Sequence, residues 1–203
     1  MITSETKVVD IHSLINVMTQ VNELFGGQIW WRGNSDTTYH LQPSVFRPRD
    51  GDGGYEYEKN INLRFMQKAP AVRDDPPRED AWFDWLFLMQ HYGLPTRLLD
   101  WTESPLIACF FAVENEDEKA QATDGALFAL SPYRLNYHQT RISGLLAPQA
   151  PQAFLLAQRA FVNASSSQHK VLAILPSLID PRMIAQLSGF TIHGFFKVEK
   201  KGR

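Results

Sequence analysis

The chain has 203 residues, 44% of them hydrophobic and 21% charged, which suits one substantial globular domain and leaves little room for a second. A formal charge of −2 at pH 7 excludes the global basic field that advertises nucleic acid, though not a local basic patch. The single cysteine, Cys109, excludes an internal disulfide, so nothing here depends on an oxidising compartment.

The first residues, "MITSETKVVDIHSLINVMTQ", lack the basic stretch and apolar core of a secretion signal. No run approaches the roughly 18 consecutive apolar residues of a membrane span. The expectation is a soluble, cytoplasmic protein with no membrane partner.

In chain order, "SLINVMTQVNELFG" places apolar residues at 14, 15, 18, 21, 24 and 25 and predicts a helix closed by Gly26–Gly27. "QIWWRG" predicts a short buried strand that breaks at Gly33. "YEYEKNINLRFMQKA" spaces Tyr57, Ile61 and Phe65 four apart and predicts an amphipathic helix. Asp80 is the expected N-cap of the next helix, "AWFDWLFLMQHY", which is apolar almost all round and therefore central. A polar turn carries the chain from there into a helix that starts at Ser104–Pro105 and runs through "LIACFFAVEN". Strand patterns follow at "GALFAL", "KVLAILP" and around "MIAQLSGFTIHGFFKV", with exposed connections expected near 147–152 and 163–168. The fold class is α+β in a single domain, helix-rich in its first half, with a mixed or antiparallel sheet.

Common chemistries are missing from the sequence. There is no phosphate-binding P-loop, and "GDGG" at 51–54 lacks a strand-then-helix frame. The six histidines are scattered, so no metal site is expected. No G-x-S-x-G elbow is present, and Cys109 among Phe and Ala is expected to be core.

Three polar constellations remain. In "WWRGNSDTTYHLQPSVFRP", Arg32 emerges between Trp31 and Gly33, an arrangement suited to gripping a phosphate or carboxylate while Gly33 leaves room for the ligand. A structural Arg paired with an acid fits equally. In "QHYGLPTRLLDWT", Gln90, His91 and Tyr92 end a helix, Gly93 and Pro95 turn the chain, and Arg97 to Thr102 follow. The alternative there is a hydrogen-bonded corner in which Arg97 and Asp100 pair. In "DPRMIAQLSGFTIHG", strand alternation puts Gln186 on the face of Ile184 and Ser188, either as a working group or as an interior amide.

Together, "WWRG", "YHLQPSVFRP", "LMQHYGLPTRLLDWTESPLIACFFAV" and "DPRMIAQLSGFTIHG" resemble the FRG domain, named for its aromatic-Arg-Gly motif. The resemblance spans roughly residues 25 to 195 of a single 1–203 domain. It implies a further strand and helix after "FTIHG", whereas this chain stops at "FFKVEKKGR", as a short or truncated member would.

The family's motif order resembles, at a distance, the ADP-ribosyltransferase layout, in which three strand-borne motifs surround NAD. That resemblance implies Arg32 as the dinucleotide anchor, with Gly33 beside it, and Trp31, Tyr92 or Trp101 as the nicotinamide wall. It places Asp100 and Thr102 at the head of the second motif, with His91 and Arg97 around them. Gln186 takes the catalytic position of the third, with Asp100 or Glu103 compensating for a missing carboxylate. NAD is the implied substrate, no metal is implied, and the acceptor would be water, nucleic acid or protein. The protein would then be a toxin or phage-defence effector. Two other classes stay open: a non-catalytic nucleotide or nucleic-acid binder, in which the exposed-looking arginines Arg47, Arg49, Arg64 and Arg97 lie near aromatic residues that could stack bases, and a protein-interaction module.

Overall fold

The computed structural model describes residues 6–47, 55–114, 123–162, 170–175 and 188–194. Helix α1 (Ile11–Phe25) starts at a reciprocal capping box between Asp10 and Ser13 and ends at Gly26, as its spacing predicts. The strand β1 (Trp30–Asn34) follows, then a 3-10 turn (Ser44–Phe46) and α2 (Tyr55–Lys68). Next come α3 (Trp82–His91), β2 (Leu98–Thr102) and α4 (Pro105–Val113). The second half holds β3 (Ala126–Leu130), α5 (Pro132–Thr140), α6 (Pro151–Gln158), β4 (Val171–Ile174) and β5 (Ser188–His193).

The five strands form one antiparallel sheet in the order β3-β1-β2-β5-β4. Alternation along the strands divides the side chains between two faces. On one face Leu98, Phe190, Ile192, Leu172 and Ile174 pack against α3 and α6 in the largest cluster. Trp31, with Ala108 of α4 and Met18, Val21 and Phe25 of α1, forms a smaller cluster. On the other face Trp30, Leu99, Trp101 and Ala173 meet Leu135 of α5. The α+β class with an antiparallel sheet is therefore the fold.

Several local expectations are corrected. β1 does not break at Gly33 but runs through it, because Gly33 and Asn34 still pair with Leu127 and Ala126 of β3. Asp80 does not cap α3: Ala81 holds that position without a side-chain bond, and the Asp80 carboxylate pairs with Arg78. The polar turn between two helices contains a full strand, β2, paired over five residues with β5. Strands are interleaved with helices in chain order, and the first half is the helix-richer one, as expected: α1, α2 and α3 lie there with β1 and the start of β2. Helices α5 and α6 carry no strong apolar stripe; α6 begins inside the stretch expected to be an exposed connection, yet buries Ala153, Leu156 and Ala157. The strand expected around Gln186 lies outside the described residues up to Ser188.

Candidate functional site

The order of local events after α3 explains why polar groups collect at one place. Gly93, at φ 72°, takes the left-handed position past the helix end, where a side chain would be strained. Its N–H donates to Gln90 O and that of Leu94 to Met89 O, closing a Schellman motif. The reversal brings β2 back beside the helix end that it has just left. Gln90 Nε2 then donates to Asp100 Oδ2 at 2.8 Å, and Thr96 Oγ1 donates to Gln90 Oε1. Leu98 N–H in turn donates to Thr96 Oγ1 at 3.2 Å. The carboxylate only accepts, so this chain fixes which end of the Gln90 amide faces Asp100.

Arg32 approaches from β1. This strand pairs with β2 at Trp31↔Thr102 alone, whereas β1–β3 and β2–β5 each pair at five positions. Past that single pair the ladder stops, and the Arg32 side chain occupies the interruption. Its Nη1 donates to the Asp100 carbonyl oxygen at 2.8 Å and lies 4.0 Å from Asp100 Oδ2. Nε is buried with no hydrogen-bond partner. The Arg32 side chain is 18% exposed and that of Asp100 52%, so the pair sits at an opening rather than in the core.

The electrostatics follow from that position. Burial lowers the Arg32 pKa, Asp100 opposes the shift and Arg47 adds to it. Guanidinium nonetheless stays protonated in proteins. Protein around the Asp100 carboxyl raises its pKa above the usual carboxylate range, while Arg32 and Gln90 pull it back. Desolvation by neighbouring protein atoms sets the direction of the shift even though about half of the side chain is exposed, 52%.

A third group lies on β5. Trp101 Nε1 donates to Thr191 Oγ1 at 3.0 Å, and Thr191 Oγ1 is 2.9 Å from His193 Nε2. Burial, helped by the Arg32 and Arg97 charges, brings the His193 pKa down to about 3, so the ring is neutral. Nothing in the sequence patterns singles out Thr191 or His193; their significance comes from β5 pairing with β2.

The expected site residues divide clearly. Arg32 and Asp100 meet, and Gln90 joins them. Arg97 is not brought to this site: its guanidinium is 1% exposed, gripped at both ends by Glu58 at 2.7 and 2.5 Å, with Nη1 on Leu156 O at 2.7 Å. The expected alternative of an Arg97–Asp100 pair is thereby replaced by Arg97–Glu58 and Arg32–Asp100. Glu58 and Asn62, one helical turn apart and both buried, share a side of α2 that the apolar spacing alone does not reveal.

Gly33 leaves no room for a ligand. A Cβ there would lie 1.9 Å from Ala108 O, so the close approach that it permits is that of α4's own backbone. Trp31 is 4% and Trp101 6% exposed, both inside hydrophobic clusters. Thr102 Oγ1 accepts from Ser104 N–H at the start of α4. His91, the last residue of α3, and Tyr92, its C-cap, are exposed, with the Tyr92 ring 6.1 Å from Phe65. Glu103 accepts from Gln28 Nε2, Cys109 is partly buried with its pKa raised, and Gln186 lies outside the described residues.

A cleft of about 590 Å³ lies elsewhere, bounded by Met66, Pro77, Trp82, Trp85 and Phe161. Its walls are mainly apolar, and the convergent polar groups expected of a reactive site are at Arg32 instead. Among the described residues no group of three or more His, Cys, Asp or Glu side chains is arranged to hold a metal ion. No described helix is long and apolar enough to cross a membrane.

Comparison with known proteins adds one match. Residues 27–121 match the family model described as FRG domain, a stretch that ends well before the 25–195 span of the resemblance. No curated protein and no solved structure matches the chain.

Proposed function

We propose that this chain, whose residues 27–121 match the FRG domain model, binds a nucleotide, NAD foremost, at the interrupted ladder between β1 and β2. The observation that carries this reading is the half-sheltered Arg32 guanidinium, whose buried Nε has no partner. An unmet charged donor costs free energy that an anionic ligand would recover. A phosphate is the natural match for the guanidinium fork. Asp100, oriented by Gln90 and open on one side, would then accept from a ribose hydroxyl beside it.

With NAD bound this way, the nicotinamide C–N bond would break with its electron pair leaving on nicotinamide. The ribosyl cation that remains would be captured by a nucleophile, which loses its proton to solvent. Such an oxocarbenium-like state is stabilised by a nearby carboxylate, and Asp100 is the acid beside Arg32. The ADP-ribosyltransferase and effector roles implied by the family resemblance belong to this reading.

A second reading, binding without turnover, draws on Asp100 itself. Desolvation, which raises its pKa against the pull of Arg32 and Gln90, reduces the negative charge on offer to a cationic transition state.

Incubation of the purified chain with NAD, following free nicotinamide by chromatography, tests the first reading. Release that disappears in Arg32→Ala while the melting temperature stays within a few degrees is the expected result. Absence of release, with saturable NAD binding that Arg32→Ala abolishes, would leave the second. Absence of both would sink nucleotide recognition at this site.

A further inference from the structure

Resting on that nucleotide reading, we propose that Arg47 is a second anion anchor, so that the ligand carries two adjacent phosphates, as a nucleoside diphosphate or a dinucleotide does. The loop between β1 and α2 is tied to the site at the base of the Gln90–Asp100 chain. Val45 N–H, in the 3-10 turn, donates to Thr96 O at 3.4 Å, and Thr96 is the residue that orients Gln90. Val45 is 1% exposed, so this turn is anchored in the fold.

Arg47 is the residue on which the chain leaves that turn. Gln42 Nε2 donates to Phe46 O at 2.6 Å, and Arg47 Nε donates to Gln42 O at 3.3 Å, bracing the loop on both sides. The residue itself remains exposed, and among the described residues no carboxylate pairs with its guanidinium. Its positive charge reaches Arg32, whose pKa it lowers further. Two like charges repel, and among the described residues no ion pair neutralises the second of them. Asp100 pairs with Arg32, at 4.0 Å, and that carboxylate is itself partly desolvated.

A single phosphate can be gripped bidentately by one guanidinium. Two guanidinium groups on separate elements match a longer anion, with charge on both of its phosphates. Arg97, the other arginine near the turn, is unavailable because Glu58 already neutralises it. The ligand class is therefore narrowed by count: Arg32 and Arg47 face a diphosphate, and Asp100 with Gln90 faces the adjoining sugar.

The test is calorimetric titration of the full chain with ADP, AMP and inorganic pyrophosphate at fixed ionic strength. ADP should bind about tenfold more tightly than AMP, the worth of one charge-assisted contact, and pyrophosphate should compete with ADP. Arg47→Gln should bring the ADP-to-AMP ratio close to one. An unchanged ADP-to-AMP ratio in Arg47→Gln overturns the second anchor and leaves the Arg32 site standing. Failure of the wild-type chain to bind any of the three overturns the anchor together with the nucleotide reading beneath it.

Discussion

Arg32 and Arg97 are one residue type put to opposite uses, and the difference is what surrounds them. The Arg97 fork is fully met by Glu58 and a backbone carbonyl deep in the protein, so removing either charge strands the other where water cannot reach it. Arg97→Met or Glu58→Gln should each cost roughly 3–5 kcal/mol in urea unfolding, and replacing both with Met should recover much of the loss. A single-variant cost under about 1 kcal/mol would show that the pair adds little. His193 makes a pH-dependent prediction. Its folded pKa of about 3 lies below the ordinary 6.5, so the folded protein binds fewer protons than the unfolded chain between those values. Stability is therefore full above pH 6.5 and is lost as pH falls toward 3, at up to about 1.4 kcal/mol per pH unit. His193→Gln should flatten that decline, measured as the difference from wild type across pH 4 to 7; an identical slope would mean that His193 is not kept neutral.

Among the elements, the tightest constraint is the contact between β1 and α4. Gly33 lies against the backbone of that helix, with Ala108 O 1.9 Å and Ala112 N 2.6 Å from where a Cβ would stand. Main-chain atoms cannot swing aside as a flexible side chain would, so Gly33→Ala should destabilise by roughly 1–3 kcal/mol or more through overpacking. Were Gly33 present instead to admit a ligand, the same substitution would spare the melting temperature and weaken binding alone. At the start of the same helix, Ser104 Oγ accepts from Ile107 N–H at 3.4 Å. Ser104→Ala should cost about 1 kcal/mol, and a loss of under a few tenths in thermal unfolding would mean that Pro105 carries the helix start unaided.

At the scale of the whole molecule, one sheet serves two packed faces and joins the N-terminal and C-terminal parts of the chain. β1 and β2, from the FRG match, lie between β3 on one side and β5 and β4 on the other. The buried ion pair reinforces this union, since Arg97, the residue just before β2, is tied to Glu58 of α2 and to the carbonyl of Leu156 in α6. Tryptophan fluorescence, sensitive to Trp30 and Trp31 on opposite faces, and far-ultraviolet circular dichroism should therefore report the same urea midpoint. Separate midpoints would mean that the two faces unfold independently.

Local pattern determined a good part of this protein. Helices α1 to α4 are legible because each buries residues at helical spacing or opens with Ser or Pro at its cap, and those signals act within a few neighbouring residues. The turn at Gly93 and the strand-forming pair Trp30–Trp31 are legible for the same reason, as are Arg32 and Asp100 as polar groups crowded against apolar runs. Helix α5 escaped because its apolar residues are few, and Asn136 is buried through bonds to Gly144 and Ala173, not through a hydrophobic stripe. Helix α6 escaped because its apolar residues run consecutively, 153 to 157, in a helix of only eight residues. Only the tertiary structure decided which charges meet. Glu58 finds Arg97 across 39 residues and Arg32 finds Asp100 across 68, and neither pairing leaves a periodic trace in the chain. Burial sets the fate of each charge, and burial is a property of the packed sheet and helices together, which no local stretch of sequence contains.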